Sequence, residues 1–455
     1  SRGFDHRYGM SVNMSWKPER PMIYCALAGV FFVGGWVFWG STLPASDGSG
    51  PLTPWVVAAL LLSLPMCVAA VFLPRIPKRQ ALGIIFTGAV LVRAVLLLPD
   101  SVLSDDVWRY LWDGEVQRQG QSPYGVAPSD PALDAVAKTP HWQEVRSRIN
   151  HENLPTVYPP IAQLSFRWFA YHELGWRSFM VLVDLLIGIL LARYLIQTGR
   201  DPSRVVYWTW HPLAIIECTN GAHVTILAVL GLAVSLLLLE KRHLKSSAAF
   251  LAGAGSTMLI PLGATFIFWK HAGFKIVVLL GAFFVGSLLL YPGLFSPGAF
   301  FGLQNYAGSW YSGGLFLEPV GQLLGFDATM STDPATEILR VLLVAIWVLV
   351  AWKVRDLEPW KATRILMLAF VLLTPTLHPW YALWLLLPSV VSPSRGCILL
   401  SLTVLLNYRV LDSWRLEGLW EFPPGTRVLV FALPLLVLIR DGWLLKSRAF
   451  ATPAP

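Results

Sequence analysis

Two adjacent carboxylates, Asp105 and Asp106, open the stretch SDDVWRYLWDGEVQRQGQSPYG, directly after an apolar run. A carboxylate at the edge of a membrane can take a proton from a hydroxyl as that hydroxyl attacks an electrophilic carbon, which is general-base chemistry. Arg109 follows, able to hold a phosphate or to orient the aspartates, and then Asp113. At about 100° per residue, Asp105, Arg109 and Asp113 fall on one helical face with Asp106 and Tyr110 beside them. Val107, Trp108, Leu111 and Trp112 take the other face. Ser104 supplies a cap, negative charge in the first turn suits the helix dipole, and Gly120 and Pro123 end the element. The spacing predicts an amphipathic helix lying at a membrane surface. Without chemistry, the same residues amount to a cap and an i,i+4 ion pair worth about 0.2–0.5 kcal/mol.

The elements that must position this helix are apolar. The 455-residue chain is 55% hydrophobic and 14% charged, against about 25% charge in soluble proteins. Apolar runs of roughly 17–22 residues recur, each long enough to cross the hydrocarbon as a helix. The expectation is an all-α polytopic membrane protein of roughly 11–13 spans, since backbone in lipid must satisfy itself within the segment. The net charge of +8 lies in short basic loops, so no nucleic-acid partner is expected. Cys25, Cys67, Cys218 and Cys397 lie in or beside apolar runs and suggest no disulfide framework. The first run reads as an anchor, lacking a small-residue cleavage site.

Basic loops orient the spans. KPER, RIPKRQ (75–80), GRDPSR (199–204), EKRHLK (240–245), KVRD (353–356) and the final LLKSR are expected in the cytoplasm. Residues 1–21 then form a cytoplasmic segment, 22–441 one membrane domain, and 442–455 a cytoplasmic tail. Residues 100–158 form a long first extracytoplasmic loop, 293–335 a second. Segment 159–173 is expected as a half-helix, and 246–269 as a hairpin broken near Pro261, because neither can cross without misplacing a basic loop. In this layout SDD (104–106), TVYPP (156–160), ECTNGAH (217–223), NYAGSWYSGG (305–314) and TLHPWY (376–381) all reach the extracytoplasmic end.

Other residues fit a phosphate, a sugar or a lipid. Arg93 is a charge inside the third span, hence a candidate for a lipid phosphate or a snorkelling side chain. His223 and His378 can contact phosphate or sugar, or serve as helix-end histidines. Tyr158, Trp380 and Tyr381 offer rings to a sugar face or an isoprenoid tail, or belong to an interfacial aromatic belt. His211 and Asp184 lie deeper and suit packing or helix pairing. Asp105 and Asp106 could share Mg²⁺ or Mn²⁺ with a phosphate, but neighbours on a helix diverge by about 100°. No obligatory cofactor is expected, with a divalent ion the option left open. No Gly-rich nucleotide-binding loop is evident on the cytoplasmic side.

SDDVWRYLWDGEVQRQGQSPYGVAP resembles the first external loop of the GT-C superfamily of polyprenyl-phosphate-sugar-dependent glycosyltransferases, nearest to bacterial α-mannosyltransferases of the lipomannan-elongating kind. The pattern is an acidic pair, RY-x-WDG and a Gly-x-x-Pro-Tyr turn: Asp105, Asp106, Arg109, Tyr110, Trp112, Asp113, Gly114, Gly120, Pro123 and Tyr124. TVYPPIAQLSF, WHPLAIIE with NGAH, and TPTLHPWYALWLLLP extend it from about residue 93 to 390. The resemblance implies a GT-C fold, a polyprenyl-phosphate sugar donor, a glycan or glycolipid acceptor and inversion on the extracytoplasmic face, with mannose as the hexose. It implies a first-loop aspartate as base. Asp105, sharing a stripe with Arg109, is the favoured one. The chain departs from the pattern at His223-Val224-Thr225, where relatives often read His-Asn-Asp, and at STMLIPLG, which lacks a lysine often found there. A transporter or flippase of lipid-linked sugars, and an inactive scaffold, are the alternatives.

Overall fold

The computed structural model describes residues 19–45, 50–326 and 333–451. Most of the expected N-terminal segment (1–18), part of the second loop (327–332) and the end of the tail (452–455) lie outside the described residues. Among the described residues the chain is helical throughout, and extended pairing is confined to isolated bridges joining Ser312 and Gly313 to Thr376.

Six helices are long and apolar enough to cross a membrane: Glu19–Ser41, Thr53–Arg75, Lys78–Leu96, Glu173–Gln197, Pro334–Val354 and Arg395–Glu417. Three shorter apolar helices are Thr225–Glu240, Phe274–Leu288 and Pro379–Val391. Their outward residues are apolar; Val30, Phe31 and Phe38 on the first helix and Val341 on Pro334–Val354 are two-thirds exposed or more. Lipid is the solvent for such faces, and this is a membrane protein.

The rest of the expected spans are shorter or interrupted, and the interruptions have local causes. Proline opens helices Pro160–Phe169, Pro212–Thr219, Pro334–Val354 and Pro359–Leu373, where its missing N–H costs nothing. Segment 203–217 does not run out as one helix. It is a 3₁₀ turn, a short helix Val206–Thr209, a break at Trp210 and His211, and then Pro212–Thr219. His211 caps that last piece through Nδ1, 3.2 Å from the Leu213 amide. Half-helix 159–173 is Pro160–Phe169. The hairpin at 246–269 is broken as expected: Leu244–Gly255, a 3₁₀ turn over Ile260–Ala264 around Pro261, then Thr265–Ala272. The last helix runs from Thr426 to Ala451, into the expected tail.

The SDD helix is Asp106–Arg118. It does not lie on a surface with its polar side in water. Arg109 and Asp113 are as buried as Leu111 and Trp112, because the polar stripe is satisfied by protein. Asp113 takes Arg109 Nε at 2.8 Å and Gln163 Nε2 at 2.7 Å, and Arg109 reaches the Leu154 carbonyl at 3.0 Å. Gly114 permits this packing: a Cβ there would stand 2.6 Å from the Phe166 carbonyl oxygen of the half-helix.

Candidate active site

The backbone before the aspartates is held by Asn220. Its Oδ1 accepts from the amides of Val102 and Leu103, both at 3.0 Å, and its Nδ2 donates to the Asp100 carbonyl at 3.0 Å. Ser101 also donates to the Asn220 carbonyl. Asn220 ends Pro212–Thr219, whose own end is clamped by Arg177, donating to the carbonyls of Thr219 (2.5 Å) and Leu96 (2.9 Å). The NGAH turn that follows carries Ala222 at φ +46°, a left-handed conformation rare for a residue with a Cβ. Trp176 Nε1 holds its carbonyl at 2.8 Å. Strain of this kind gathers where side chains must be aimed.

What the turn aims is His223. Nδ1 lies 2.7 Å from Glu217 Oε2, and Nε2 lies 3.0 Å from Ser104 Oγ and 3.8 Å from Asp106 Oδ2. Tyr408 donates to the other Glu217 oxygen at 2.9 Å. Ser104 Oγ also accepts from the Asp106 amide at 3.2 Å, beginning the helix. Asp106 turns its Oδ2 to the hydroxyls of Tyr158 (3.3 Å) and Tyr110 (3.4 Å). Its side chain is 20% exposed, and its Oδ1 has no partner among the described residues.

His223 begins a stack of three rings beside this carboxylate. His223 stacks on Trp380 at 3.7 Å between centroids, and His378 stacks on the same Trp380 at 4.4 Å. The His378 ring makes no hydrogen bond among the described residues, and burial pushes its pKa down from 6.5 to about 4. Near neutral pH it is a neutral donor and acceptor stacked on Trp380. Tyr306 and Tyr381 share a hydrogen bond beside it, and Trp310 stands against both His378 and His151. The Trp310 loop is bound to the TLHPWY segment through backbone: Ser312 donates to Pro375 at 3.2 Å, and Leu377 donates to Ser312 at 2.6 Å. Gly313, at φ +63°, has no room for a Cβ beside Asn407, which in turn donates to the Leu377 carbonyl at 2.8 Å.

Residues 314–408 match the family of the MptB C-terminal domain. That segment carries His378, Trp380, Tyr381 and Tyr408, part of this cluster. No curated protein and no solved structure matches the chain significantly.

The five polar clusters therefore converge around Asp106, each giving at least one side chain. Tyr110, Tyr158, His223, His378, Trp380 and Tyr381 come together there. Four expected site residues stand apart. Asp105 is exposed, and desolvation by its neighbours, then the Asp106 charge, raise its pKa against the pull of Arg148 and Arg415. Arg109 and Asp113 spend their charges on each other, so the stripe that favoured Asp105 runs the other way along the helix. Arg93 neither snorkels nor faces a headgroup. It is fully buried, with Nε 2.6 Å from Asp184 Oδ2 and one terminal nitrogen on the Thr209 carbonyl at 2.7 Å. A guanidinium in an apolar bundle takes the nearest carboxylate, and Asp184 lies on the adjacent helix.

Glu217, Tyr408, Asn220, Trp310 and His151 were not singled out from sequence. The rule that flagged Arg93, a charge inside an apolar helix, applies equally to Glu217. Tyr408 gives no local signal, being distant in sequence. No group of three or more His, Cys, Asp or Glu is placed to hold a metal among the described residues. Cavities of about 310 and 380 Å³ lie away from Asp106, the first at Lys78 and Arg200, the second between Trp39 and Trp55. Neither brings a carboxylate, histidines and aromatic rings together, so the cluster of side chains around Asp106 is the better candidate.

Proposed function

We propose that the chain is a membrane glycosyltransferase, moving a hexose from a polyprenyl-phosphate donor to a hydroxyl of a glycan or glycolipid on the extracytoplasmic face. The observation that carries this is the Asp106 carboxylate, steadied through Oδ2 by two tyrosine hydroxyls, 20% exposed and with Oδ1 free of partners among the described residues. The matched domain belongs to a family of mannosyltransferases of the GT-C class, which together with the loop resemblance makes mannose the sugar to try first.

In this reading the acceptor hydroxyl approaches Oδ1. Asp106 takes its proton as the oxygen bonds to the anomeric carbon, and the phosphate leaves with the electron pair of the old C–O bond on the opposite face. The product is inverted. His378, neutral and without a hydrogen bond among the described residues, donates to a phosphate or sugar oxygen, and Trp310 offers a ring face to the sugar. The apolar faces below keep the isoprenoid tail in lipid while the phosphate stays at headgroup depth.

The test is transfer of labelled mannose from a short-chain polyprenyl-phosphate mannose to a mannoside by the purified protein in detergent, with and without EDTA. Transfer by wild type that Asp106→Asn abolishes supports the reading, and EDTA reports any dissociable Mg²⁺ or Mn²⁺. Transfer that persists in Asp106→Asn sinks the assignment of the base. Sugar movement across vesicles without bond formation would favour a transporter instead.

A further inference from the structure

Glu217 is fully buried, one turn from the C-terminal end of Pro212–Thr219, where the helix dipole disfavours a negative charge. Among the described residues no lysine or arginine is paired with it. It is held by Tyr408 on one oxygen and His223 on the other. A buried carboxylate so placed is costly for packing alone, so its geometry asks for a use.

Following the protons gives one. A carboxylate only accepts, so Tyr408 O–H and His223 Nδ1–H both donate to Glu217. With Nδ1 protonated, the Nε2 lone pair faces Ser104 and accepts its hydroxyl proton at 3.0 Å. That leaves the Ser104 oxygen free to accept the Asp106 amide at 3.2 Å. Every donor has one acceptor along Tyr408, Glu217, His223, Ser104 and Asp106. The direction of the whole chain is set at Glu217, because it alone can only accept.

We propose that Glu217 is a positioning residue for the reaction, fixing the His223 tautomer so that the Nε2 lone pair faces Ser104 and Asp106. His223 then has a second use, which rests on the glycosyltransferase reading. The proton that Asp106 takes from the acceptor hydroxyl passes to Nε2 once Ser104 turns its hydroxyl away and Asp106 Oδ2 closes the 3.8 Å between them, and it leaves Nε2 with the departing phosphate or to water before the next turnover. The imidazolium formed is stabilised by the carboxylate behind it, and Asp106 returns to its basic form for the next turnover. A carboxylate behind an imidazole does this wherever it both orients the ring and meets its charge.

Glu217→Gln is the discriminating variant. Its amide keeps the shape but can donate to Nδ1, which drives the ring to the Nε2–H tautomer and reverses the chain. Two readouts separate the proposal from the reaction it rests on. The first is the ¹⁵N spectrum of ring-labelled protein in detergent, with the His223 signals assigned by their loss in His223→Asn. Wild type shows Nδ1–H and Glu217→Gln shows Nε2–H. The same tautomer in both overturns the positioning role, whatever the protein catalyses. The second is kinetic: Glu217→Gln loses about tenfold or more in kcat, holds the donor KM within about threefold, and shifts the acid limb of the pH–rate profile, while Glu217→Asp recovers part of the rate. A parallel drop at every pH, unrelieved by aspartate, overturns the proton-outlet role. Absence of transfer by wild type, with the tautomer switch intact, counts against the reaction and leaves the positioning role standing.

Discussion

Asp105 and Asp106 are neighbours in the chain that face different surroundings. Asp106 is bonded to two tyrosine hydroxyls, and Asp105 is exposed at the start of the same helix. Asp106→Asn is therefore expected to lower transfer by about 10²–10⁴-fold, and Asp105→Asn to stay within about tenfold of wild type. Equal losses in the two variants would show that the pair acts as a unit. A larger loss for Asp105→Asn would return the base to that residue.

The buried pair of Arg93 and Asp184 makes a second prediction. Arg93→Met alone leaves an uncompensated carboxylate in the bundle and is expected to cost about 3–5 kcal/mol. Arg93→Met with Asp184→Leu should recover most of that, and the double variant should keep its donor KM. Thermal melting in detergent and donor titration check both. A tenfold rise in donor KM in the double variant would restore Arg93 as a phosphate ligand.

The His378 ring gives a pH dependence. Burial lowers its pKa from 6.5 to about 4, with Asp106 pulling it up and His223 pushing it further down. The folded state thus binds fewer protons here than the unfolded chain. The stability that a neutral His378 contributes is present above pH 6.5 and lost as pH falls towards about 4. Wild type should lose more melting temperature across that window than His378→Gln. Parallel melting curves for the two would show that His378 is not held neutral by the fold.

Asn220 has its side chain on three backbone groups of the first loop. Asn220→Leu strands two buried amides and is expected to cost about 2–4 kcal/mol, with loss of transfer through displacement of Ser104 and Asp106. Asn220→Asp, which keeps the acceptor for both amides, should lose less. If both variants melt with wild type, the loop is held by other contacts.

The sequence spoke most clearly about elements whose rule is local. Composition and run length determined a helical membrane protein, because lipid leaves the backbone little else. Proline and glycine marked the broken hairpin around Pro261 and the end of the SDD helix, because both act through their own φ. The aromatic and histidine side chains of the site, from Tyr158 to Tyr381, were legible as polar clusters gathering at one end of an apolar chain. Span count was less legible: Trp210 and His211 interrupt a run that hydropathy reads as continuous, since hydropathy does not register where the backbone bends.

The tertiary structure decided which charges are spent and which are free. Periodicity put Asp105, Arg109 and Asp113 on one stripe, but could not say that Gln163 would cover it and that Arg109 would turn to Asp113. It placed Arg93 in a span without its partner, because Asp184 is brought near only by helix packing. It gave no reason to connect Glu217 with Tyr408. A charge finds its partner through the lowest combined cost of desolvation and geometry, and that cost is set by neighbours from other helices. The chain alone thus points to carboxylates, histidines and aromatic rings gathering at one end of the bundle; the packing determines that Asp106 is the carboxylate that meets His223, Tyr110 and Tyr158.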